Sequence, residues 1–157
     1  MKSMEKLESM KGSLTLKISH DGGERVERID NLIVTSGRAN LAKLLGGQTG
    51  MHVTHVGVGS GRIAAAPEDT VLTSPELTPV TEVRIGQGLE AEDGSTFDDP
   101  RMVQFHFRIG TSAAVGKDIW EYGLMGADGS LFSRIVRPSG FTKTDIDMIV
   151  GFWQIQF

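Results

Sequence analysis

Cysteine is absent from all 157 residues. That excludes disulfides and thiolate metal sites and fits cytosolic synthesis. A basic excess is also missing: 16 lysines and arginines stand against 20 acids, for a net charge of −4. Nucleic-acid binders show a basic stripe or surplus, so no nucleic-acid partner is expected. No apolar run reaches the roughly 18 residues of a membrane span, and no membrane partner is expected. The opening Met-Lys-Ser-Met-Glu-Lys-Leu-Glu is charged and has no apolar stretch, so no secretory signal is expected. Aromatics are only 6% of the chain, which favours core roles for them over a broad stacking platform.

What is present points to strands. Glycine is abundant, at 20 residues, while proline contributes only 5. Glycine serves tight turns between short strands, so the excess favours a β-rich body. Apolar residues (39%) and charged residues (23%) lie in the globular range, and the length suits a single domain. The expected division is an N-terminal arm, 1–12, and one β-rich domain, 13–157. In the arm, Met4, Leu7 and Met10 recur at a spacing of three, which suits a short helical stripe or a frayed end. A docking role on a neighbouring subunit would use that stripe.

Period-two alternation then recurs along the chain. Leu14, Leu16 and Ile18 oppose Thr15, Lys17 and Ser19. His20-Asp21-Gly22-Gly23 is a turn, and 24–30 return as a solvated second strand. Leu41, Leu44 and Leu45 fall at i, i+3 and i+4. They predict one helix, capped by Thr35 or Ser36, stopped at Gly46-Gly47 and plugging one side of a sheet. Further strands are expected over 53–58, 80–85 and 102–109, the last with Val103, Phe105, Phe107 and Ile109 inward. Residues 119–137 read as a hairpin about Gly126-Ala-Asp-Gly129. In its first arm Ile119, Glu121 and Gly123 share one face, and Trp120, Tyr122 and Leu124 the other. The final strand, from about Asp145 to Phe157, is apolar on both faces. It is therefore central or covered by another subunit. The expected fold is mainly β: a sandwich of antiparallel strands with one short packed helix.

Candidate chemistry is sparse. Gly57-Val-Gly-Ser-Gly61 lacks the sixth-position glycine of a dinucleotide loop and is read as a strand end where backbones approach closely. Gly59-Ser60-Gly61 is not a nucleophile elbow. His52 and His55 sit three apart on a strand, on opposite faces, which disfavours a shared metal. Asp145 and Asp147 share a strand face, where solubility and edge protection explain them better than a cation. Glu121 is expected to pair with Arg134 or Arg137 across its hairpin, because a buried carboxylate needs a cation or donors. No catalytic, cofactor or metal residues are assigned, and no enzyme activity is expected. The candidate assembly residues are the aromatic and apolar Trp120, Tyr122, Trp153, Ile155 and Phe157. To these are added the acids Glu90, Glu92, Asp93, Asp98 and Asp99 of the 86–101 loop, which carries a local charge of −4.

Eight short stretches in a fixed order carry a family resemblance. Asn31-Leu-Ile-Val-Thr-Ser-Gly37 leads into the leucine-rich helix. His55-Val-Gly-Val-Gly-Ser-Gly61 precedes Ala66-Pro-Glu-Asp-Thr-Val-Leu72. Phe105-His-Phe-Arg-Ile109 comes before Trp120-Glu-Tyr-Gly-Leu124, Gly126-Ala-Asp-Gly129 and Leu131-Phe-Ser-Arg134. Gly151-Phe-Trp-Gln-Ile-Gln-Phe157 closes the chain. Over residues 29–157 this resembles small structural proteins of tailed bacteriophages, of the tail-fibre, baseplate and collar type. Those carry an "NLIT..G" helix start, a "VGxGxxxxxPxDTxL" segment and an "xEYGLF..DGxLFxR" hairpin. The chain departs at Ser36 and Arg38, at Met125 in place of an aromatic, and in the long acidic loop. The resemblance implies a non-enzymatic virion component made in the host cytoplasm. It would lie in the tail region and assemble as a homo-oligomer, a trimer first, with other virion proteins. A capsid decoration or head-fibre protein and a receptor- or carbohydrate-binding module are the alternatives.

Overall fold

The computed structural model describes residues 10–157. Most of the expected arm therefore lies outside the described residues, while Lys11 and Gly12 already belong to the first strand. The elements are β1 (Lys11–His20), β2 (Gly23–Ile33), α1 (Thr35–Leu45), β3 (Val53–Gly59), β4 (Glu76–Ile85), β5 (Leu89–Glu90) and β6 (Thr96–Phe97). They continue with β7 (Met102–Ile109), β8 (Asp118–Gly126), β9 (Leu131–Thr142) and β10 (Met148–Gln156).

Eight strands close into a barrel in the order β1-β10-β7-β4-β3-β8-β9-β2, all antiparallel. The sandwich expectation is thereby overturned. Alternation could not separate the two, because each strand of either architecture turns one oily face inward. Closure depends on β2. Its residues 23–31 pair with β1, and then Leu32 and Ile33 pair with Arg134 and Ser133 of β9. The β1–β2 turn places Asp21 and Gly22 at φ 44° and 78°, the left-handed geometry of a tight hairpin.

Leu14, Leu16, Ile18, Phe107, Ile109, Tyr122, Leu124, Ile149, Trp153 and Ile155 fill the interior. β10 is hydrogen-bonded to β1 and β7 along its length, and in a closed barrel no strand is more central than another. Its outward Phe152 is buried within this chain, in a cleft shared with Glu90 and Phe97 of β5 and β6. In β8 the register shifts between Ile119 and Glu121. Ile119 and Tyr122 consequently both enter the core, and the simple two-face assignment of 119–124 fails at Trp120.

The helix is present, but its buried side is not the leucine stripe. Gly37 and Asn40 are its buried residues, Leu41 and Leu44 are half-buried, and Leu45 is 92% exposed. Neither Thr35 nor Ser36 caps it. The N-cap is Val34, and the Ser36 hydroxyl instead donates to the Leu131 carbonyl at 2.6 Å. A β-carbon at Gly37 would fall on the Phe132 carbonyl, so glycine here lets the helix lie directly on β9.

Candidate functional site

Where β8 and β9 pair, Arg134 stands opposite Gly123, and Glu121 lies two residues along the same outer face. Arg134 Nε donates to Glu121 Oε2 at 2.7 Å, its Nη1 to Asp69 Oδ2 at 2.8 Å and its Nη2 to the Ile63 carbonyl at 3.0 Å. Glu121 Oε1 also accepts the backbone N–H groups of Gly61, at 3.1 Å, and Thr73, at 2.6 Å. Glu121 and Arg134 are both buried. Two carboxylates thus share one guanidinium, and the segment 61–73 is strapped to the barrel wall through both. A buried charge of this kind persists only with its partners and donors in place.

The glycines of 57–61 now have a cause. A β-carbon at Gly61 would stand 2.7 Å from Glu121 Oε2, and one at Gly59 would collide with the same carboxylate and come 2.8 Å from the Thr73 carbonyl. The close approach expected there is therefore to a carboxylate as well as to backbone. Gly57 and Gly123 make room for Leu72, whose methyl lies 2.7 and 2.8 Å from where their β-carbons would be. Leu72 joins Val34, Met125 and Leu131 in a second, smaller apolar cluster. The Thr35 N–H donates to the Pro67 carbonyl at 2.8 Å, and Asn40 donates to Ser130 at 2.5 Å. Asn31 donates to Ser133. The helix start, the glycine segment, the Pro67–Leu72 segment and the hairpin are thus one packed unit around Arg134.

The expected Glu121–Arg134 pair is present, and Arg137 is not its alternative. Arg137 pairs with Glu27 of β2 at 2.8 Å. Tyr122, Trp153 and Ile155 lie in the core and Phe157 is exposed. Trp120 is half-buried on the outside, with Arg62 stacked 4.4 Å over its ring and Asp118 accepting from its Nε1 at 2.9 Å. Trp120, Tyr122 and Trp153 therefore form no common platform. Burial drives the Tyr122 phenol well above its ordinary range.

The acidic loop is structured by its own acids. Asp93 accepts from Ser95, Asp98 from the Gly88 N–H and Asp99 from Arg101, while Glu92 is exposed. Leu89 is fully buried. Gln104 exchanges two 2.8 Å hydrogen bonds with the Glu90 backbone, and the Glu90 side chain lies 3.6 Å from Lys17 Nζ. Beneath it, burial pushes the His106 imidazole below its ordinary range; Arg84 adds to the shift and Glu90 opposes it.

Asp145 and Asp147 precede β10 rather than lying in it, and they part company. Asp147 is buried, bound by His20 and by the Thr144 N–H at 2.7 Å, while Asp145 is exposed. Among the described residues no group of three or more histidines and acids could hold a metal ion. A cleft of about 440 Å³ opens at one barrel end beside His20, Arg25, Phe141 and Asp147. Sequence reasoning missed Asp69 and Leu72 as members of the clamp. The signal was their fixed place in the Pro67–Leu72 segment, which alone reads as a bend.

No protein-family model, curated protein or solved structure matches this chain.

Proposed function

We propose that this protein is a non-enzymatic structural component of a tailed phage particle, placed in the tail, baseplate or fibre-attachment region. It works by assembling with copies of itself and with other virion proteins. The observation that carries the reading is the convergence of three of the resemblance-bearing regions, the helix start, the 55–72 stretch and the 120–134 hairpin, on one clamp, Asp69–Arg134–Glu121. Glu121, Arg134 and Asp69 are all engaged in holding the 61–73 segment on the wall of the barrel. Glu121 accepts three hydrogen bonds and Arg134 donates three. A carboxylate so bound acts as a strut. Burial of apolar surface between copies supplies the drive for assembly. The trimer rests on the resemblance alone.

Light scattering on the purified chain, followed by microscopy of particles that incorporate it, tests the proposal. The expected result is a defined oligomer located in the tail region. A monomer that joins no particle overturns it. Binding to assembled heads would favour a capsid decoration instead.

A further inference from the structure

β4 changes partner along its length, pairing with β3 over its first four residues and with β7 from Val80 onward. Its residues 76–79 pair with β3, from Val58–Glu76 to His55–Pro79, and that pairing stops there. Residues 80–85 run on beside β7, with Val83 opposite Phe105 and Ile85 opposite Val103. Their other edge meets no strand among the described residues. Phe105 and Val103 pack against the core, so Val83 and Ile85 are core-side residues too. They are nonetheless 47% and 73% exposed. An oily face has been built here, and no neighbouring strand among the described residues covers it.

The opposite face of this stretch carries Glu82 and Arg84, which pair with each other at 2.9 Å. Charges on an edge discourage indiscriminate pairing. This pair is also self-complementary. When two β4 edges meet antiparallel about Val83, residue 82 of one copy lies opposite residue 84 of the other, twice over. The two Val83 side chains then meet, and each Ile85 lies beside a Thr81.

We propose that residues 80–85 form a two-fold, edge-to-edge contact between two copies of this chain, sealed by Val83 and Ile85 and held in register by Glu82–Arg84 pairs. A contact of this kind makes dimers. Combined with a three-fold elsewhere on the surface, it makes hexamers. The inference deepens the assembly reading above and rests on it.

Sedimentation of the full chain over a concentration series tests it, using wild type, Glu82→Arg, Arg84→Glu and an equal mixture of the two variants. Each variant alone sets like charges opposite each other at both positions. Self-association should weaken by at least about tenfold. In the mixture a copy with two arginines faces a copy with two glutamates, so a heterodimer should form at least as tightly as wild type. The pairing within each chain is lost in both variants, so recovery on mixing reports the contact between chains alone. Circular dichroism should be unchanged throughout. Variants that associate like wild type, or a mixture that stays monomeric while wild type does not, overturn the β4 contact and leave the assembly reading standing. Wild type that is monomeric at every concentration and enters no particle overturns both.

Discussion

Arg134 reaches Glu121 across the β8–β9 ladder at 2.7 Å, on the outer wall of a barrel, yet both side chains are buried. The covering is supplied by residues 61–73, which both side chains grip. This diagonal pair therefore fastens an otherwise irregular segment to the sheet, and its loss should be felt well beyond the hairpin.

Glu121→Ala should cost about 3–5 kcal/mol, because it leaves a buried guanidinium with one carboxylate and two backbone N–H groups unpaired. Arg134→Ala should cost a similar amount. The double variant should cost clearly less than the sum, which urea denaturation of all four proteins measures. Strict additivity would mean that the two side chains act independently.

Gly59→Ala should detach the strap rather than unfold the barrel. The added methyl competes with the Glu121 carboxylate and the Thr73 carbonyl for one space. Hydrogen exchange should rise at the Gly61 and Thr73 amides while the β1 and β10 amides stay protected. Protection equal to wild type at Thr73 would contradict this packing.

Two substitutions on α1 should behave in the opposite order to the one its leucine stripe suggests. Leu45→Asp, at a 92% exposed site, should shift stability by about 0.5 kcal/mol or less. Gly37→Val should cost several times more, since its side chain meets the Phe132 carbonyl. Thermal melts of the two variants compare them directly.

Acid should loosen the β9–β10 connection. Burial alone would raise the Asp147 carboxyl, but the Thr144 N–H, His20 and the Thr144 hydroxyl outweigh it and hold the group below the ordinary carboxylate range. The unfolded chain binds this proton more readily than the folded one. The stabilisation is therefore complete above about pH 4, the unfolded carboxylate value, and is lost as pH falls through the lower folded value. Asp147→Asn should lower stability at neutral pH and flatten this part of the acid slope in urea titrations. A slope identical to wild type would remove Asp147 from the account.

Much of this protein was legible in the chain. Alternation at Leu14–Ile18 and Val103–Ile109, and the turns at Asp21-Gly22 and Gly126–Gly129, determined the strands and hairpins, because side-chain direction and turn geometry are local properties. The need of a buried Glu121 for a cation followed from electrostatics alone, and Arg134 meets it. Closure was decided elsewhere. Whether Leu32 and Ile33 of β2 pair with β9, making a barrel instead of a sandwich, depends on contacts about a hundred residues apart, and the pattern of oily faces is the same in both. The choice of Gly37 and Asn40 over Leu45 for the helix contact, and the burial of Tyr122 and Trp153 inside the barrel, are likewise tertiary. Periodicity assigns a residue to a face; only the neighbour laid against that face decides whether it is covered.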